Sequence, residues 1–150
     1  LGFDKKINNL AHHNLFFDTS FDLHAKEIYK DPQWPSEPLF YANFTSMTNE
    51  HTAPKGCENG FILIPLAPGL KDTEELREKY FNIVLDRIES ITEQKIKKNI
   101  IYKKSFCVSD FIDEYNSYKV NAYGLANTLL QTSFLRPKLK SKLIERLIST

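Results

Sequence analysis

Apolar residues recur at one regular helical spacing in this chain and cluster in short runs elsewhere. From residue 72 onward, Leu76, Tyr80, Phe81, Val84, Leu85, Ile88 and Ile91 follow one another three or four positions apart, the period of a buried helix face. Asp72 with Glu75 three residues later spells a capping box, and Arg77, Lys79, Asp86 and Arg87 fall on the side left for water. This pattern predicts a helix of about twenty residues packed across a sheet. Four shorter stretches predict strands: residues 12–17, 39–46, 60–64 and 99–106. The run 60–64 is the most apolar, which predicts a strand buried on both faces, and Pro65 and Pro68 end it. Ser20 is placed to cap a short helix bearing Leu23 and Ile28, and Ser109 another bearing Phe111, Ile112 and Tyr115. Residues 31–38 hold three prolines and are loop. Residues 124–131 read as a loop entering a helical turn, which Arg136 and Pro137 break; 138–150 is a basic tail or short helix. The fold class expected is α+β, a mostly antiparallel sheet of about four strands with one long helix and several short ones.

A length of 150 residues suits a single domain. With 20 basic and 19 acidic side chains the net charge is +1, and no basic stripe interleaved with aromatics occurs, so nucleic acid is not an expected partner. No apolar run reaches the ~18 residues of a membrane helix. Cys57 and Cys107 stand far apart and make no metal-type pair, so a reduced, cytoplasmic setting is the default. Asn43, Phe44 and Thr45 spell a glycosylation sequon inside an expected strand, where it reads as chance.

Chemical motifs are sparse. His12 and His13 are adjacent, and neighbours on a regular strand point to opposite faces, so they do not make a metal site. Cys57, between Gly56 and the acidic Glu58, lacks an activating neighbour, and Cys107 sits in an apolar setting that leaves a thiol inert. Asp110, Asp113 and Glu114 crowd one short helix as a solvated face. Pro54, Lys55 and Gly56 lack the spacing of a phosphate loop, and no Gly-x-Gly-x-x-Gly follows a strand. Arg136, Lys138, Lys140, Lys142 and Arg146 interleave with Leu135, Leu139, Leu143 and Leu147. Such a basic amphipathic stretch serves as a charged surface helix or lies on anionic lipid.

Four blocks carry a resemblance. Leu10, Ala11, His12, His13 and Asn14 lead to Phe16 and Phe17; Ser46, Met47 and Thr48 precede Ala53, Pro54, Gly56 and Pro65. Asp110 and Phe111 precede Tyr115, Asn116, Tyr118, Gly124 and Leu125, and Gln131, Thr132, Ser133, Phe134, Leu135, Arg136 and Pro137 close the set. In order and spacing these blocks resemble the phytoene desaturase family of FAD-dependent carotenoid oxidoreductases, over about residues 8–142. The chain departs from that pattern at Cys107, Val108 and Ser109, where the family has Thr-Pro, and after Lys142, where no glycine-rich flavin segment follows.

The resemblance implies a substrate-domain fragment, residues 1–150 forming a partial domain of a larger enzyme. FAD would be held by sequence outside it, with no cofactor expected in the fragment, which would be inactive alone. The implied substrate is an apolar polyene, a carotenoid precursor. Phe40, Phe44, Phe106, Tyr123, Leu125 and Phe134 are the candidate substrate-binding side chains, although taken one by one each reads first as an ordinary core side chain; no catalytic or metal-binding residue is named. A carotenoid isomerase or ketolase of the same superfamily and a standalone apolar-ligand or interaction module are the rival readings. Further expectations are a cytoplasmic protein that is either free or peripheral at the membrane, partnership with the missing FAD domain, and self-association through exposed apolar surface.

Overall fold

The computed structural model describes residues 1–117, which hold six short strands and three α-helices joined by turns and 3-10 segments. The strands are β1 (Gly2–Phe3), β2 (His13–Phe16), β3 (Phe40–Asn43), β4 (Glu58–Asn59), β5 (Phe61–Leu63) and β6 (Ile100–Tyr102). The helices are α1 (Phe21–Tyr29), α2 (Glu74–Thr92) and α3 (Val108–Tyr115). The strands form two three-stranded sheets, ordered β4-β1-β6 and β2-β3-β5, and every pairing is antiparallel. The class is α+β, but two small sheets replace the single sheet of about four strands. Proximity of β4 and β5 in sequence explains the division: Gly60 lies between them, and its neighbours pair in opposite directions, Asn59 with Gly2 and Phe61 with Asn43.

α2 begins one turn-defining residue later than its pattern predicts. Thr73 is the N-cap, its Oγ1 accepting from Leu76 N at 3.3 Å. Asp72 cannot serve, because its carboxylate is taken by Arg77 and by Ser109. Tyr80, Val84, Leu85 and Ile88 are buried as the spacing requires, but Ile91 is 51 % exposed. Glu89 and Thr92 are buried in its stead. Glu89 Oε1 accepts from Ile96 N at 2.6 Å and Lys97 N at 2.9 Å, so a carboxylate turns the chain out of the helix while Ile96 enters the core.

The core joins α2 to one face of β2-β3-β5: Phe16, Phe40, Ala42 and Phe44 meet Val84, Leu85 and Ile88, with Phe3, Ile7 and Ile96 closing the cluster. Phe16 stacks on Phe40 at 4.3 Å between ring centroids. Gly60 is required here, since a Cβ would stand 3.0 Å from Phe44 Cε1 and 3.2 Å from Phe3 Cε2.

Two further expectations are corrected. β5 is not buried on both faces: Phe61 is 57 % and Leu63 36 % exposed, because only Ile62 turns toward the core. α3 is capped at Cys107 rather than Ser109, with Cys107 N donating to Asp110 at 2.7 Å; Ser109 is drawn instead to Asp72. Ser20 does cap α1, accepting from Leu23 N at 3.2 Å. The segments expected at residues 124–131 and 138–150 lie outside the described residues.

Candidate functional site

The sheet β2-β3-β5 buries one face and leaves the other open. Register places His13, Asn43 and Phe61 in one cross-strand row and Leu15, Tyr41 and Leu63 in the next. Directly paired residues share a face and alternate residues return to it, so these six side chains form a two-by-three grid on the side away from α2. Leu15 is 67 % exposed and Phe61 57 %. Phe17, just beyond β2, is also exposed, and with Leu10, Leu15 and Ile91 it lines an open groove of about 290 Å³ along the edge of β2 that pairs with no strand among the described residues. The helix residue Ile91 therefore faces this groove instead of the core.

One corner of the grid is polar. His13 Nδ1 lies 2.7 Å from the Tyr41 hydroxyl and 3.1 Å from Asn43 Nδ2. Asn43 Nδ2 donates to the same hydroxyl at 3.0 Å, and Thr45 Oγ1 donates to Asn43 Oδ1 at 2.7 Å. His12 and His13 do not diverge: His12 precedes β2, escapes its alternation, and stacks on His13 at 4.2 Å while its Nδ1 meets Thr48 Oγ1 at 2.6 Å. Among the described residues no group of three or more His, Cys, Asp or Glu could hold a metal ion.

A second cluster joins the starts of α2 and α3. Arg77 pairs with Asp72 and Asp110 and donates to Ser105 Oγ and Ser109 Oγ. The Arg77 hydrogen bond, opposed by burial and aided by Ser109, holds the Asp72 carboxyl down to about 2. Cys107 beside it is half-buried, and burial pushes its thiol up, so this cysteine is not an activated nucleophile. A buried carboxylate, Glu58, meets Ser46 Oγ and lies 3.5 Å from Lys6 Nζ.

Of the candidate substrate-binding residues, Phe40 and Phe44 are core side chains on the inner sheet face, 3 % and 0 % exposed. Arg87 lies over the Phe40 ring at 4.9 Å. Phe106 is partly exposed and meets Phe111 edge-on at 4.8 Å, away from the grid in sequence and in sheet membership. Tyr123, Leu125 and Phe134 lie outside the described residues. The open face is built instead by Leu15, Tyr41, Phe61 and Leu63. The signal for it was present: in both β2 and β3 each of the two alternating sets carries apolar residues, which is more than one buried face needs.

FAD finds no cradle among the described residues. A dinucleotide site needs a parallel βαβ unit with a glycine-rich turn against the helix start, and all strand pairings here are antiparallel. Gly56 and Gly69 sit at positive φ in open turns, with nothing within 4 Å of an added Cβ.

Among the described residues the α+β arrangement thus leaves one sheet face open and largely apolar. No family model matches the chain. Comparison with curated proteins gives a carotenoid 3,4-desaturase of Haloarcula japonica, 39 % identical over all 150 residues of this chain and 30 % of that protein. A 4,4'-diapolycopen-4-al dehydrogenase of Metabacillus indicus is 30 % identical over 93 % of this chain and 28 % of that protein. A 4,4'-diaponeurosporene oxygenase of Staphylococcus haemolyticus is 31 % identical over 83 % of this chain and 25 % of its own length. The chain spans less than a third of each of these curated relatives. The resemblance read from the four sequence blocks is therefore to carotenoid desaturase-family proteins, over a portion of their length.

Proposed function

We propose that this chain is the substrate-facing portion of a carotenoid-oxidising flavoenzyme, and that the outward face of β2, β3 and β5 is one wall of its polyene site. The observation that supports this reading is the grid itself, in which Leu15, Tyr41, Phe61 and Leu63 line the sheet face opposite the core. A polyene is long, narrow and uncharged, and each CH₂ buried against such a wall contributes about 0.8 kcal/mol. An exposed apolar face of this kind on a small domain marks a surface that something covers. The names of the three relatives, which speak of desaturation, dehydrogenation and oxygenation of carotenoid skeletons, support the same substrate class.

In this reading FAD supplies the hydride acceptor and is held by sequence other than these residues. These side chains supply apolar contact, exclusion of water and alignment of the substrate. The 150 residues alone are inactive, and the working protein sits on the cytoplasmic side against a membrane, because its substrate partitions into lipid. The test is conversion of a hydrocarbon polyene by the complete protein carrying Leu15→Asp or Phe61→Asp. Conversion lost with flavin content unchanged supports the reading; conversion at the parent rate overturns it.

A further inference from the structure

Phe44 N donates to His12 O at 2.9 Å, and this bond fixes the direction of every backbone group in β2. In an antiparallel pair, residues that exchange hydrogen bonds alternate with residues whose N–H and C=O point the other way. With His13 opposite Asn43 and Leu15 opposite Tyr41, it is His12, Asn14 and Phe16 that bond to β3. The N–H and C=O of His13 and Leu15 therefore point to the other edge of β2, which pairs with no strand among the described residues. That edge has none of the devices that guard against strand pairing: His13–Phe16 holds no proline or lysine, and its register runs without a bulge. Beside it runs the groove lined by Leu10, Phe17 and Ile91. Ile91 is the only exposed member of the α2 stripe. A strand laid at the ~4.8 Å spacing of a sheet would lie along this groove and cover Ile91, so α2 overhangs the place of one more strand.

We propose that the outer edge of β2 is an interaction surface that receives a further strand, supplied by a part of the same polypeptide outside residues 1–150. The matched portion is at most 30 % of each of the three relatives, so more than twice as much polypeptide lies outside it. A tethered segment meets the edge at an effective concentration that a second molecule does not reach. The added backbone pairs with His13 and Leu15, and its inward side chains are apolar to match Leu10 and Ile91. On the outward side it adds a fourth strand beside Leu15 and widens the open face. This inference rests on the reading of the chain as a portion of a longer enzyme, and it does not require the outward face to touch a polyene.

The experiment is amide hydrogen exchange on the complete protein, resolved to single residues and run at two protein concentrations. The Asn14 and Phe16 amides, bonded to β3, serve as the internal reference. The expected result is that His13 and Leu15 exchange at least about a hundredfold more slowly than unprotected amides, equally at both concentrations. Exchange of His13 and Leu15 at unprotected rates while Asn14 and Phe16 stay slow overturns the proposal. Protection that falls on dilution assigns the edge to a second copy and overturns it too. A benzophenone side chain placed at Phe17 then identifies the occupant: a cross-link to a peptide outside residues 1–150 supports the proposal, and cross-links confined to residues 1–150 overturn it. Should that variant fail to fold, exchange in the parent protein still decides. Slow exchange at His13 and Leu15 together with parent-rate conversion by Phe61→Asp leaves the added strand standing and removes the polyene wall alone.

Discussion

Arg77 Nε donates to Asp72 Oδ1 at 2.9 Å, and this contact ties the start of α2 to the start of α3. Asp72 Oδ2 also accepts from Ser109 N at 3.1 Å and Ser109 Oγ at 2.9 Å, while Arg77 Nη1 reaches Asp110 at 2.8 Å. Only 3 % of the Asp72 side chain is exposed. Removing one partner of a buried pair strands the other, so Asp72→Ala is expected to cost about 3 kcal/mol in urea unfolding. Asp113→Ala, on the exposed face of α3, should change stability by less than about 0.5 kcal/mol.

The same pair sets an acid limit. Asp72 is held at about 2, below the ~3.9 of an unfolded aspartate. Because the folded value is the lower, the stabilisation is whole above about pH 4 and is lost as pH falls toward 2. Between pH 5 and 2.5 the parent should lose about 1.5 kcal/mol more than Asp72→Asn, measured by urea midpoints. Equal losses in the two proteins would contradict this.

His24 sets a second window. Its Nδ1 accepts from Leu39 N at 3.1 Å, its Nε2 is buried without a partner among the described residues, and burial lowers its pKa against the opposing pull of Glu27 and the Glu37 backbone. A histidine depressed in the folded state takes up its proton preferentially on unfolding. Its contribution is therefore whole above its ordinary value of about 6.5 and falls as pH drops below it. Urea unfolding at pH 7.5 and 5.5 should show a smaller decline for His24→Phe than for the parent, although loss of the Leu39 acceptor lowers the variant at both by about 1 kcal/mol.

Gly60→Ala tests the junction between the two sheets. The added methyl meets Phe44 and Phe3, both fixed in the core, so a loss of about 1–3 kcal/mol is expected. Phe44→Ala, which empties a fully buried ring position, should cost about 3–5 kcal/mol.

The helix α2 was legible because its stripe is long enough for the period to repeat, and Ser20 and the proline loop were legible because each acts within a few residues. The sheets were not. β1 and β4 have two residues each, too few to show any alternation, and they exist only through pairing across more than fifty positions of chain. Thr73 displaced Asp72 as the cap for the same reason: Asp72 was claimed by Ser109, 37 positions away. That both alternating sets of β2 and β3 carry apolar residues was legible, but which set faces the core was not, because the chemistry looks alike inside and out. Phe40 and Phe61 are both aromatic residues in expected strands, yet one is 3 % exposed and the other 57 %. The pairing of Phe61 with Asn43 tells them apart, since it puts Phe61 on the sheet face opposite Phe40, and that pairing joins residues 18 positions apart in sequence.

The most direct measurement is photolabelling of the complete protein with a polyene bearing a diazirine along its chain, followed by peptide mapping. The account predicts labels on Leu15, Tyr41, Phe61 and Leu63, in the three peptides whose strands build the open face. Labels confined to β6, α3 and the segment between them, at Ile101, Phe106 or Ile112, with none on those strands, would contradict it.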